Sequence, residues 1–320
     1  MGTVRSPWRA DDDHAPTFRF VTVEETRLRY LDCGSGQPVV LLHGNGSMIE
    51  DFLSSGIIER AAPDHRFIAF DRPGFGHSDR PHGRSWGPGD QATLLCRALR
   101  KLGIERPIVV GHSWGALVAL AMGLLEPEFV SGLVLMSGYY YPVAGAKPFM
   151  LPTAFPFASD VVRHTVVPFM RRLMAPDTLR RVFAPCAVPD RFRRTYPLPL
   201  ALRASQMRAV DEEAAMLPDV TAAFRPLYRE LRPPVHLIAG SDDRIVETDV
   251  HSARLHQDLS ASTFHRVVGC GHMVHHAVPD DVAAAIAQVR DRAGQGRGAR
   301  PRHRAPRRQW LHIGDSAVAA

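Results

Sequence analysis

The chain has 320 residues, a formal net charge of +6 and four cysteines, with 45% of residues hydrophobic and 22% charged. That length buries a large core as one α/β domain carrying an insertion, and the apolar content is that of an ordinary globular protein. No window is long and apolar enough to span a bilayer, and no basic-then-apolar leader is present, so a membrane-inserted protein is not expected. Few, unpaired cysteines fit a reducing compartment, and a cytoplasmic location is expected. The positive balance comes from one stretch: arginines stand at 292, 297, 300, 302, 304, 307 and 308, with no acid between 292 and 309. This stretch is also rich in Gly, Pro and Ala. Residues 293–320 are therefore expected to be a disordered, solvated tail rather than a nucleic-acid contact. Residues 1–16 are expected to be flexible, and the match of Gly2 and Ser6 to a myristoylation pattern is too short to weigh.

In chain order, alternating apolar and polar residues predict strands over 17–23 and 27–32, an antiparallel entry to a sheet. Apolar runs predict buried strands over 39–42, 67–70, 107–110, 132–137, 234–239 and 263–268. Helix-forming segments lie at 90–102, 116–125, 249–257 and 280–292. Strands alternating with helices imply an α/β fold, a mostly parallel twisted sheet with helices on both faces. Residues 17–139 and 234–292 are expected to form the core. Residues 140–233 have another texture, rich in Pro, Arg, Phe and Met with weak periodicity, and are expected to be an inserted helical lid (cap).

The chemistry is carried by Gly111-His112-Ser113-Trp114-Gly115, a G-x-S-x-G run between a β-branched strand and an Ala/Leu-rich helix. At such a turn a serine is held in a strained conformation, with its hydroxyl pushed out of the sheet edge at the positive end of a helix. A nucleophilic serine needs a base, and the base needs an acid that holds its tautomer. Both types follow downstream, each in a loop just after a strand. Asp242 and Asp243 lie in Gly240-Ser241-Asp242-Asp243-Arg244-Ile245-Val246, and His272 lies in Gly269-Cys270-Gly271-His272-Met273, with His275 and His276 close behind. Upstream, His43-Gly44-Asn45-Gly46 is a glycine-rich turn that lets backbone N–H groups point inward.

Together these loops, with Leu41-Leu42 ahead of the first and with Asp71-Arg72-Pro73-Gly74-Phe75-Gly76-His77-Ser78, resemble the α/β-hydrolase fold superfamily, its lid-bearing serine esterases and carbon–carbon bond hydrolases. The resemblance spans about 18–289 with a gap at the lid, and implies a Ser-Asp-His order. It implies an oxyanion hole made by the backbone N–H groups of Asn45 and Trp114; the Asn45 side chain is a further possible donor. The family's acid is the third residue after the strand-end glycine, followed by an apolar pair. That favours Asp243 over Asp242, and the Gly271-His272 turn favours His272 as base. The segment from Asp71 to Ser78 braces the catalytic loops in that family and is assigned no chemistry. Haloalkane dehalogenases and soluble epoxide hydrolases of the fold use a carboxylate where this chain has Ser113, which disfavours those reactions.

Other residues receive structural readings. His43 is expected to hydrogen-bond its own loop, Asp71 and Arg72 to form local hydrogen bonds, and His112 to support the site with its ring turned from Ser113. His275 and His276 are expected to be solvated loop histidines, and Cys270 a small thiol packed under its loop. Cys33, Cys96, Cys186 and Cys270 lack paired ligand spacing, so no metal is expected, nor any cofactor. Phe149, Met150, Phe155, Phe157, Phe169, Met170 and Met174 would form either an apolar lid underside, suiting a small-molecule substrate with an apolar portion, or the lid's own core. Tyr139, Tyr140 and Tyr141 are expected to enter the lid hinge near the site. Tyr139, Tyr140, Met150 and Phe169 are the candidate substrate-binding residues. The expected function is a serine hydrolase of small esters or activated carbonyl compounds. A carbon–carbon bond hydrolase of ring-cleavage products, a cofactor-free perhydrolase or haloperoxidase, and a receptor-like ligand binder remain the alternatives.

Overall fold

The computed structural model describes residues 16–61, 64–142 and 167–295, the side chains of 167–174 excepted. Eight strands form one sheet: β1 (Thr17–Val23), β2 (Thr26–Gly34), β3 (Gln37–Leu42), β4 (His65–Phe70), β5 (Ile108–His112), β6 (Gly132–Met136), β7 (Val235–Gly240) and β8 (Ser262–Val267). Their order is β1-β2-β4-β3-β5-β6-β7-β8. β2 runs antiparallel to β1 and to β4, and the other neighbours are parallel. Every strand expected from the sequence is present, within a few residues at each end.

Helices α1 (Ile49–Ser55) and α2 (Ile57–Ala61) follow β3, α3 (Pro88–Lys101) follows β4, and α4 (Trp114–Leu125) follows β5. Between β6 and β7 stand α5 (Val167–Phe183), α6 (Asp190–Thr195), α7 (Leu198–Ala201) and α8 (Ala204–Phe224), closed by a 3₁₀ turn at Arg225–Glu230. The segment expected as a single helix over 249–257 is a π-helical turn (Asp249–Ala253) running into α9 (Arg254–Asp258). The chain ends in α10 (Val274–Ala277) and α11 (Pro279–Gln295). Among the described residues no helix is long and apolar enough to cross a membrane.

Successive strand residues face opposite ways, which sorts the core into two layers. Val40, Leu42, Val109, Leu133, Leu135 and Leu237 pack with α3 and α4 on one face. Leu41, Val110, Val134, Met136 and Ile238 pack with α1, α2 and α11 on the other. With helices on both faces the central parallel strands are mostly apolar, as burial from both sides requires, while the edge strand β8 (STFHRV) is half-buried and more polar. α4 is buried almost all round, and its residues from Trp114 to Leu124 are apolar or glycine, as burial on every side requires.

The chain leaves β3 for β4 on one side and returns to β5 on the other, so the topological switch lies between β3 and β5. Ligand sites of open α/β sheets form outside the carboxyl ends of strands at such a point. The register brings the loops there together: Leu42 pairs with Phe70 and with Gly111, His112 with Met136, and Gly240 with Val267. The loops after β7 and β8 meet without a gap. A Cβ on Gly240 would lie 2.1 Å from the Cys270 carbonyl oxygen and 2.5 Å from that of Gly271. Gly240→Ala is expected to force these loops apart and lower stability by about 1–3 kcal/mol, read from a shifted urea midpoint.

Candidate functional site

Ser113 stands between β5 and α4 with φ 54° and ψ −117°, a conformation that L side chains rarely adopt. Its amide continues the sheet by donating to the Met136 carbonyl at 2.9 Å. The flanking glycines are required by space. A Cβ on Gly111 would sit 2.3 Å from the Gly115 oxygen, and one on Gly115 would sit 2.1 Å from the Leu42 oxygen. Trp114 is buried and is the first residue of α4, so its N–H is among the amides that a helix N-terminus leaves without an intrahelical partner.

His272 and Asp243 meet: His272 Nδ1 donates to Asp243 Oδ2 at 2.8 Å, and both side chains are buried. The other carboxylate oxygen accepts the amides of Ile245 (2.8 Å) and Val246 (2.9 Å), a side-chain turn that fixes its orientation. Asp242 is exposed. With Nδ1 carrying the proton toward Asp243, Nε2 is the basic nitrogen of neutral His272. The loop is tied to the serine turn by His112, whose Nε2 donates to the His272 carbonyl at 3.0 Å. Cys270 is buried here, and burial pushes its thiol up to about 11.

The turn after β3 lies alongside. A Cβ on Gly44 would approach the Ser113 Cβ to 3.1 Å. His43 Nδ1 donates to the Gly44 carbonyl (2.8 Å) while its Nε2 accepts the Arg72 amide (3.0 Å), so His43 is a neutral structural bracket. Burial, then the Arg72 charge, holds its pKa well below the ordinary value. The Asn45 side-chain nitrogen donates to the Val210 carbonyl of α8 at 3.1 Å. Asp71 accepts the amides of Ile49 and His77, both at 2.9 Å, and pairs with Arg29. Burial raises it to about 6 against those donors. Arg72 departs from the local role expected: it is wholly buried and pairs with Glu213 of α8, 141 residues away.

His275 and His276 also differ from expectation. They are not solvated: they lie on α10 with side chains at most 2% exposed, and both Nε2 atoms donate to Asp51 Oδ1, at 3.1 and 2.7 Å. Ser47 Oγ donates to Asp51 Oδ2 at 3.0 Å. Burial alone would raise Asp51, but the two imidazoles reverse this and its carboxyl titrates well below the usual range. One donor atom each of Asp51, His112 and His275 lie within 4.8 Å of one another, a buried set able to converge on a metal ion. Both Asp51 oxygens are already engaged in the network just described. α1 was not apparent in the sequence, which hid Asp51.

Of the candidate substrate-binding residues, Tyr139 is half-buried and its hydroxyl donates to the Ile245 carbonyl (3.3 Å), beside the acid loop. Tyr140 is fully buried in the core against Gly138. Met150 lies outside the described residues, as do Phe149, Phe155, Phe157 and the Arg-rich stretch from 296 on. Phe169 falls in α5, at a position whose side chain is not described. A residue that the sequence did not single out, His251, holds the segment that follows β6: its Nδ1 accepts the amides of Tyr140 (3.1 Å) and Tyr141 (3.3 Å).

Comparison with known proteins gives the family. A family model described as "alpha/beta hydrolase fold" matches residues 37–277. The chain is 30% identical over 283 residues to a 2-hydroxy-6-oxononadienedioate/2-hydroxy-6-oxononatrienedioate hydrolase of Pseudomonas putida, covering 84% of this chain and 95% of the relative. It is 27% identical over 272 residues to haloalkane dehalogenase 2 of Mycobacterium tuberculosis, covering 81% and 90%. The crystal structure of a meta-cleavage product hydrolase from Pseudomonas fluorescens IP01 superposes with a TM-score of 0.65 at 21% identity, over 86% of this chain and 98% of that one. The chain therefore belongs to the alpha/beta hydrolase fold family, and is an enzyme of that class.

His251 gives the fold a pH dependence. Burial lowers the His251 pKa from 6.5 to about 4. The folded protein thus favours the unprotonated ring, a contribution fully present above pH 6.5 and lost as pH falls toward 4. Urea titrations across that window are expected to show stability falling with acidity. His251→Gln is expected to have a shallower dependence, the difference being on the order of 2–3 kcal/mol at most.

Proposed function

We propose that the protein is a serine hydrolase acting on esters or activated carbonyl compounds through Ser113, His272 and Asp243. Ser113 Oγ attacks the carbonyl, and His272 Nε2 takes its proton and then delivers it to the leaving group. Asp243 holds the Nδ1–H tautomer and steadies the imidazolium. The amides of Asn45 and Trp114 receive the oxyanion. Water, activated by His272, releases the acyl group. The observation that carries this reading is the buried 2.8 Å His272–Asp243 contact, in a loop tied through His112 to the strained serine turn.

Dehalogenation, the reaction named for the Mycobacterium relative, fits this nucleophile poorly. Displacement of halide by a carboxylate gives an ester that water can hydrolyse. Displacement by Ser113 would give an ether, which has no carbonyl for water to attack, and turnover would stop. A carbon–carbon bond hydrolase is the second reading, favoured by the 30% identity to the Pseudomonas putida enzyme; it too needs attack on a carbonyl. We read the segment between β6 and β7 as a lid over the site, and the protein as cytoplasmic, in keeping with cysteines that are all free.

Turnover of p-nitrophenyl esters beside a panel of vinylogous diketones is expected to separate the two readings. With the better substrate class, Ser113→Ala is expected to lower kcat by roughly 10⁴-fold or more, and to abolish covalent labelling by a fluorophosphonate probe. Hydrolysis and labelling that survive in that variant would remove the assignment.

A further inference from the structure

We propose that Glu213, on the segment inserted between β6 and β7, positions the oxyanion amide of Asn45 by holding Arg72 against the carbonyls of the β3 turn. The inference rests on the serine-hydrolase reading above and adds to it a residue that no sequence motif contains.

Arg72 Nε donates to the His43 carbonyl at 2.8 Å, and Nη2 to the Gly44 carbonyl at 3.0 Å. Nη1 donates to Gln91 Oε1 at 2.9 Å. The rest of the guanidinium meets Glu213 two-pronged, through Nη1 to Oε1 and through Nη2 to Oε2 at 3.1 Å. Gln91 Nε2 donates to Glu213 Oε1 at 2.9 Å. Neither side chain of the ion pair has any exposure. A buried guanidinium keeps its charge and its geometry only when it is paired, so Glu213 fixes where Arg72 points.

What Arg72 holds is one face of a peptide unit. The Gly44 carbonyl accepts three donors: His43 Nδ1 (2.8 Å), Arg72 Nη2 (3.0 Å) and the Ser47 amide (3.3 Å). That carbonyl and the Asn45 N–H belong to the same planar trans unit and point opposite ways. Anchoring the oxygen therefore aims the N–H. The unit also runs beside the nucleophile, where Gly44 approaches the Ser113 Cβ. The inserted segment grips the same turn elsewhere: Val210 carbonyl on Asn45 Nδ2 (3.1 Å) and Tyr196 hydroxyl on the Gly46 carbonyl (3.0 Å). Seating of α8 and readiness of the oxyanion amide are thus one event, and Glu213 is a positioning residue acting through Arg72.

The test uses the full-length enzyme, with wild-type turnover and fluorophosphonate labelling as the control for the underlying mechanism. Two variants are compared, Glu213→Gln and the double variant Arg72→Met with Glu213→Leu, which removes both charges so that neither is left buried alone, while Gln91 keeps its bond to the Trp86 carbonyl. Both are expected to lose about 10- to 100-fold in kcat with KM changed by less than about threefold. Affinity for a trifluoromethyl ketone, whose adduct presents an oxyanion, is expected to weaken by the same factor as kcat. The double variant is expected to melt near the wild type and still show the loss, which a role in stability alone does not predict. Wild-type kcat and wild-type inhibitor affinity in a folded double variant would overturn the proposal. Failure of the wild type itself to turn over or label would instead overturn the serine-hydrolase reading.

Discussion

Between the turn after β3 and the turn after β5 there is room for backbone and for nothing larger. A side chain on residue 115 would begin 2.1 Å from the Leu42 carbonyl oxygen, and one on residue 44 would begin 3.1 Å from the Ser113 Cβ. This approach follows from the parallel register in which Leu42 pairs with Gly111. Two strands side by side deliver their loops to one level, and glycines let the loops touch. The serine turn, the peptide from Gly44 to Asn45 and the N-terminus of α4 are consequently packed as one unit. Geometry of this kind suits a reaction that creates charge at one point, because the donors are in place before the charge forms.

Buried imidazoles surround that unit, and their partners set them apart. His43 and His112 each direct one N–H at a backbone carbonyl, and burial keeps both well below the ordinary histidine pKa. Neutral rings of that sort brace loops. His275 and His276 share the single oxygen of Asp51, on the side of α1 and α10. His272 alone among these sits in the loop tied to the serine turn and has a carboxylate oxygen to itself. Proximity to an acid does not separate His272, His275 and His276. The bond from His112, the last residue of β5, to the His272 carbonyl does.

The strands were legible because the first two alternate apolar and polar residues and the others are short, largely apolar runs, and the motif loops because glycines mark where backbones approach. Helix α1 was not: it has seven residues, an N-cap Met48 with no side-chain bond, and a left-handed Gly56 that breaks it from α2. So short an element shows no periodicity, and Asp51 could not be paired with His275 or His276 from sequence. Glu213 escaped for another reason. It follows Asp211 and Glu212 on α8, where a run of acids looks like a solvated face, and only docking of that helix on Arg72 reveals that the third acid points inward. Arg72 and Glu213 are 141 residues apart. The separation carries no local signal, and burial is decided by tertiary packing.

The inserted segment is then more than a cover in the proposed mechanism. Its freedom to vary in sequence is limited by what it gives to the β3 turn: a carboxylate to Arg72, a carbonyl to Asn45 and a hydroxyl to the Gly46 carbonyl. A segment that only covered the site could be exchanged to alter substrate range with little effect on the chemical step. In the proposed mechanism, substitutions that move α8 would instead change the aim of the oxyanion amide, because the helix and the β3 turn are joined by those three contacts.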